Sequence, residues 1–122
     1  MMKKNILVID DDSLALKMIV AALEEKGYAA VASLNFKEAL QKARQAFPDL
    51  VLIDVVMPDI SGFEACRQIK ELFQPHPPPV IVMTGKLNAV DPVMARKMGA
   101  DDFVVKTSDM TILVQAVRKI LS

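Results

Sequence analysis

Residues 49–64 read DLVLIDVVMPDISGFE, and four apolar residues, Leu50 to Ile53, run straight into one carboxylate, Asp54. A short uninterrupted apolar run, rich in branched side chains, predicts a strand buried on both faces. Such a strand ends where the sheet meets solvent, and Asp54 falls at that point. Pro58 has no N–H to give to a ladder, so pairing has stopped by then. Ser61, followed three residues later by Glu64, is a capping box that opens a helix. A carboxylate at this junction is fixed by a stiff element and still reachable from water.

The same grammar recurs on either side. Asn5 to Ile9 is a short apolar run that stops at Asp10. Ser13 to Lys26 predicts a helix with Leu14, Met18, Ile19, Ala22 and Leu23 on its inner face, closed by a left-handed Gly27. Tyr28 to Ala32 is a weaker, alanine-rich strand, expected near an edge. Asn35 and Glu38 form a second capping box, opening a helix over 36–46 with Leu40, Ala43 and Phe47 inward. Pro48 prevents that helix from running on. The helix begun at Ser61 is expected over Gly62 to Phe73.

Gln74 to Pro79, QPHPPP, predicts a stiff extended connection rather than a docking epitope, and its lone His76 is given no role. Val80 to Met83 is a fourth strand ending at Thr84, and Gly85 to Asp91 a loop. Pro92, suited to a first helical position, starts a short helix to Met98 that Gly99 ends. Met94 and Met98 on it are expected to fill core or partner surface. Asp102 to Val105 is a fifth strand ending at Lys106. Ser108 or Asp109 caps a last helix to Leu121, with Ile112, Leu113, Ala116, Val117 and Ile120 inward. Strand and helix alternate five times, which argues a doubly wound α/β fold: a parallel sheet with helices on both faces.

Composition narrows the class. The chain has 122 residues, 52% hydrophobic and 25% charged, enough for one real core and against disorder. Fifteen basic and fifteen acidic residues cancel, so no global field favours nucleic acid or an anionic membrane. One cysteine, Cys66, excludes an internal disulfide or a multi-cysteine metal site and reads as a packing residue. The amino-terminal apolar run is too short for a signal peptide and ends in three acids, and no stretch approaches a membrane span. A cytoplasmic protein is expected.

In an open parallel sheet all carboxyl ends of the strands share one edge, where ligands bind. Here that edge collects Asp10, Asp11 and Asp12 from the first strand, Asp54 from the third, Thr84 from the fourth and Lys106 from the fifth. Each has an ordinary reading. Asp12 is expected simply to cap the next helix, Thr84 alone is a turn hydroxyl and Lys106 alone a surface lysine. Together they ask for a coincidence. If the first and third strands are adjacent, Asp10, Asp11 and Asp54 repel one another and recruit a hard cation, with Mg²⁺ the natural candidate. A carboxylate beside such an ion can attack a phosphoryl group, while Lys106 and Thr84 bind other phosphoryl oxygens.

With ILVIDDD, LVLIDVVMPDISGFE, VIVMTG and GADDFVVK in this order and spacing, the chain resembles the CheY-like receiver domains of bacterial two-component response regulators along essentially its whole length. The resemblance implies a (βα)5 flavodoxin-like three-layer sandwich with strand order 2-1-3-4-5. It implies that Asp54 accepts a phosphoryl group from a sensor histidine kinase or phosphotransfer protein. Asp10, Asp11, Asp54 and the backbone carbonyl of Val56 would hold Mg²⁺, and Thr84 and Lys106 would bind phosphoryl oxygens. Phe103 falls where the family places its switch aromatic, though it also reads as a core ring. A downstream protein would then be met on the face of the fourth helix, fifth strand and fifth helix. Such a domain catalyses its own phosphorylation and hydrolysis but turns over no metabolite. A single receiver domain over 1–122 without an output domain is expected, with no direct contact to DNA.

Three positions depart from the family pattern. Thr107 replaces the usual proline after the lysine, and a trans Lys106–Thr107 bond is expected because a non-proline cis bond costs about 3–4 kcal/mol. Val56, apolar and two residues after Asp54, cannot orient a water. Lys86, two residues after Thr84, is expected to cover the phosphoryl group. Together these departures lead to an expectation of slow self-hydrolysis. Two other functions compete: a haloacid-dehalogenase-like phosphatase with Asp10 as nucleophile, and a scaffold that needs no phosphate.

Overall fold

A computed structural model describes residues 3–85, 92–107 and 109–122. The strands are β1 (Asn5–Ile9), β2 (Ala29–Ser33), β3 (Leu50–Asp54), β4 (Val80–Thr84) and β5 (Asp102–Val105). The helices between and after them are α1 (Ser13–Glu25), α2 (Phe36–Gln45), α3 (Gly62–Leu72), α4 (Pro92–Lys97) and α5 (Thr111–Leu121). All neighbouring strands pair in parallel, in the order β2-β1-β3-β4-β5. This is the doubly wound three-layer sandwich expected, with the alanine-rich β2 at one edge.

The core is split by the sheet, and period-two alternation within each strand decides which half a side chain joins. Ile6, Val8, Leu50, Leu52, Ile81 and Met83 face α1 and α5, meeting Leu16, Ile19, Leu23, Leu113 and Val117. Leu7, Ile9, Val51, Ile53, Val80 and Val82 face α2 and α3, meeting Phe36, Ala39, Ala43, Ala65, Cys66 and Ile69. β3 and β4 are buried along their full length, and each such branched side chain contributes about 1.5–3 kcal/mol on leaving water. Cys66 is a buried free thiol whose pKa burial pushes up to about 11, an inert packing residue as expected.

Helix ends follow their caps. The Asp12 carboxylate accepts hydrogen bonds from the N–H groups of Leu14 and Ala15 at 3.0 and 3.3 Å, as expected of that residue. At the other end of α1 the N–H groups of Gly27 and Tyr28 donate to Glu24 and Leu23 carbonyls, a Schellman turn with Gly27 at φ +93. Asn35 and Ser61 cap α2 and α3 through the Glu38 and Glu64 amides, at 2.8 and 3.1 Å.

Several inner faces differ from the sequence reading. In α1 the buried stripe is Leu16, Ile19 and Leu23, while Leu14 is 65% exposed and Met18 also lies outward. That helix is apolar nearly all round, so two neighbouring stripes have the right spacing. Phe47 is 52% exposed rather than inward: α2 ends at Gln45, Ala46 is extended, and buried Pro48 takes the inner place. The Phe47 ring instead stacks edge-on against Phe73, 5.3 Å between centroids. In α5 Ile112 is outward and Val114 inward. That helix starts at Thr111, so Asp109 precedes its N-cap position, Met110, although its carboxylate accepts from the Thr111 amide at 2.9 Å. Ser108 lies outside the described residues. The QPHPPP segment turns first, with the His76 N–H donating to the Phe73 carbonyl, and is irregular and free of turns only over 77–79. Met94 is exposed and Met98 half-buried. Among the described residues no helix is long and apolar enough to cross a membrane.

Candidate functional site

β1 and β3 lie side by side, Ile9 against Ile53, so the chain leaves the sheet at Asp10 next to Asp54. The acid run then divides. Asp10 is completely buried, Asp11 is exposed at the rim, and Asp12 is taken by the α1 cap. One oxygen from each of Asp10, Asp11 and Asp54 lies within 4.8 Å of the other two. Lys106, just past β5, reaches over β4 to both buried acids: its Nζ is 2.6 Å from Asp10 Oδ2 and 3.3 Å from Asp54 Oδ2.

Backbone bonds fix these acids. The Asp10 N–H donates to the Ser33 carbonyl at 3.1 Å, and the Asp12 N–H donates to Asp10 Oδ1 at 3.0 Å. After β3 the Val55 N–H donates to the Met83 carbonyl and the Gly62 N–H to the Val55 carbonyl, both at 2.8 Å. The start of α3 is thereby pulled against the end of β3. A Cβ on Gly62 would stand 2.3 Å from the Asp54 carbonyl oxygen, so glycine is what permits this approach. Thr84 is buried at the end of β4, opposite Val105, and its carbonyl accepts from the Lys106 N–H at 2.6 Å.

The electrostatics are one-sided. Burial raises the Asp54 pKa above the ordinary 3.8, the neighbouring Asp10 charge adds to this, and Lys106 only partly opposes it. Burial alone would lower the Lys106 pKa, but the hydrogen bond and charge of Asp10, then those of Asp54, outweigh it and raise it. One ammonium against three carboxylates leaves a negative surplus. The donors are all carboxylate oxygens, with no thiol or imidazole in the cluster. Such a set suits a hard divalent cation of the Mg²⁺ kind rather than Zn²⁺.

The structure thus brings together Asp10, Asp11, Asp54 and Lys106, with Thr84 ending the strand next to β3. Val56 follows Asp54 closely, its side chain 66% exposed and its N–H 3.5 Å from Asp54 Oδ1. Phe103 lies half-buried in β5, paired with Val82 and packed on the α2–α3 side of the sheet. The Lys106–Thr107 bond is trans as expected, the one cis bond among the described residues being Gln74–Pro75. Lys86 lies outside the described residues.

Two residues around the site were not singled out from sequence. The Asp59 carboxylate accepts from the N–H groups of Phe36 and Lys37, at 3.2 and 3.3 Å. Ser33 holds Asp10 through its carbonyl. Neither carries a local signal: an acid after proline and a serine at a strand end read as ordinary turn residues.

Comparison with known proteins agrees with this geometry. A family profile described as "Response regulator receiver domain" matches residues 6–118. Protein PilH of Pseudomonas aeruginosa is 33% identical over 118 residues, covering 97% of this chain and 98% of PilH. The alkaline phosphatase synthesis transcriptional regulatory protein PhoP of Bacillus subtilis is 35% identical over 105 residues, 86% of this chain and 43% of PhoP. The chain spans about half the length of several such regulators, for example 52% of the response regulator ArlR of Staphylococcus saprophyticus. Among solved structures, response regulator TrrA of Thermotoga maritima in complex with Mg²⁺ and BeF superposes with a TM-score of 0.86 at 31% identity, over 97% of this chain and 99% of TrrA. A buried acid pair bridged by a lysine at the carboxyl edge of a 2-1-3-4-5 sheet, together with these matches along almost the whole sequence, means that the chain belongs to the response regulator receiver domain family.

Proposed function

We propose that this receiver is a phosphoryl-driven binding switch in which Asp54 is the acceptor. The observation that carries the reading is the position of Asp54: nearly buried at the end of β3, 3.3 Å from the Lys106 ammonium and grouped with Asp10 and Asp11. An Asp54 carboxylate oxygen attacks the phosphorus of a phosphohistidine on a histidine kinase or phosphotransfer protein. The P–N bond breaks, its electron pair leaves with the imidazole, and Asp54 becomes an acyl phosphate. Asp10, Asp11, Asp54 and the Val56 backbone carbonyl would hold Mg²⁺, which when bound would supply positive charge against the phosphoryl oxygens. Lys106 gives a second positive charge, passing from its two acid partners toward a phosphoryl oxygen, and the Thr84 hydroxyl donates to another.

Output follows from that rearrangement. A shift of Thr84 and of the half-buried Phe103 ring, one strand apart in the sheet, alters the surface of α4, β5 and α5, where a downstream protein docks. The chain turns over no metabolite and touches no nucleic acid or membrane itself. Its near-complete coverage of PilH supports residues 1–122 forming one receiver unit. Asp10, the nucleophile a phosphatase would need, has no exposed surface and is held by Lys106, which favours Asp54. Incubation with acetyl phosphate and Mg²⁺ tests the reading: wild type gains one phosphoryl group by intact mass and Asp54→Asn gains none. Equal gain by both would overturn it.

A further inference from the structure

The first turn of an α-helix presents N–H groups with no partner inside the helix. In α2, Asn35 takes the Glu38 N–H through its side chain and the Ala39 N–H through its carbonyl. The Phe36 and Lys37 N–H groups are taken by Asp59, from a loop more than twenty residues further along the chain. A carboxylate there also meets the positive end of the helix dipole. Asp59 lies five residues after Asp54, inside the β3–α3 loop that carries Val56. That loop is anchored at one end by Val55 on Met83 and at the other by Gly62 on Val55. Asp59 ties its middle to α2.

The β2–α2 turn leads back to the other acid. The buried Ser33 hydroxyl donates to the Asn35 carbonyl at 3.2 Å, and the Ser33 carbonyl accepts the Asp10 N–H at 3.1 Å. A continuous run therefore joins Asp10, Ser33, Asn35, Phe36 and Asp59 to the loop that holds Val56 and follows Asp54. The two acid-bearing segments are braced against one another from outside the site, with Asp59 bonded to the first turn of α2.

We propose that Asp59 is a positioning residue for the phosphoryl-acceptor site: bonded to the first turn of α2, it holds the β3–α3 loop in the shape that brings the Val56 carbonyl and Asp54 into register with Asp10. The inference rests on the reading that these groups hold a divalent cation. Outer groups that orient ligands in this way change metal affinity without touching the metal.

The test uses the full chain and two readouts. Mg²⁺ affinity is measured by calorimetry, and amide exchange at Val56 and Met57 is measured in Mg²⁺-free protein. Asp59→Ala is expected to weaken Mg²⁺ binding about tenfold and to speed exchange at both amides. Asp59→Asn keeps an acceptor oxygen and is expected to fall between wild type and Asp59→Ala; it carries the comparison should the alanine variant not fold. Asn35→Ala is the control, since it removes only the side-chain cap on the Glu38 N–H and keeps the backbone carbonyl through which Asn35 belongs to the brace. It should lower Tm by a similar amount and leave Mg²⁺ affinity and loop exchange as in wild type. Asp59→Ala with wild-type affinity and exchange but reduced Tm would make Asp59 a helix cap only and overturn the proposal. So would an equal loss of affinity in Asn35→Ala. If wild type itself binds no Mg²⁺, the cation-site reading fails, while the exchange comparison still decides the brace.

Discussion

Ionised Asp54 works against folding in the metal-free protein, because burial first and the Asp10 charge second disfavour its charged form. A carboxyl whose folded pKa is raised adds no penalty below its unfolded value near 3.8, where it is protonated in both states. The penalty grows as pH rises from that unfolded value toward the higher folded pKa and is complete above it. Asp54→Asn is therefore expected to raise Tm at pH 7 without Mg²⁺ by about 4 °C, corresponding to about 1 kcal/mol. That gain should shrink toward pH 4, and Mg²⁺ should stabilise wild type more than the variant. Thermal melts across pH check this, and a variant less stable than wild type at pH 7 would contradict it. Val56 is proposed to limit the reverse reaction. Its side chain is 66% exposed beside Asp54 and offers no polar atom to orient a water. The acyl phosphate is expected to persist for minutes or longer after the donor is removed, with Val56→Asn shortening that time. Decay of the phosphorylated mass measures it, and a wild-type lifetime of seconds would count against the assignment.

Among the elements, the β3–α3 junction is under close steric control. A Cβ at Gly62 would meet the Asp54 carbonyl oxygen at 2.3 Å and the Val55 Cα at 2.8 Å, all backbone that cannot swing away. Gly62→Ala is expected to cost about 2 kcal/mol and about 8 °C in Tm. It should also slow phosphorylation, because the displaced atoms belong to the acceptor itself. Wild-type Tm and rate would contradict the close packing. The strands were legible from sequence because runs such as Leu50–Ile53 and Val80–Met83 have one reading, burial on both faces. Helix faces were less so. Leu14 and Met18 in α1 have the same spacing as the buried Leu16, Ile19 and Leu23, and only contact with the sheet selects between stripes. A continued α2 would place Phe47 inward, but the extended Ala46 turns it out.

For the molecule as a whole, parallel topology gathers distant residues at one edge, which is why the site could be read before the structure. Asp10, Asp54, Thr84 and Lys106 each end an apolar run, and a sheet ordered β2-β1-β3-β4-β5 leaves them together. Asp59 and Ser33 escaped that logic. Their partners lie on other elements, at separations that no periodicity encodes, and their worth appears only when α2 is seated against the β3–α3 loop. In the proposed switch the chemistry lies at the carboxyl edge of β1 and β3, and Thr84 and Phe103 are proposed to carry it toward α4, β5 and α5. Every step of that account depends on where the phosphoryl group lands. The most direct measurement is mass spectrometry of peptides from protein treated with acetyl phosphate and Mg²⁺. A single phosphoryl group on Asp54, lost in Asp54→Asn, is the expected result; a group on Asp10, or no modification of competent, Mg²⁺-loaded protein, would rule out Asp54 as the acceptor.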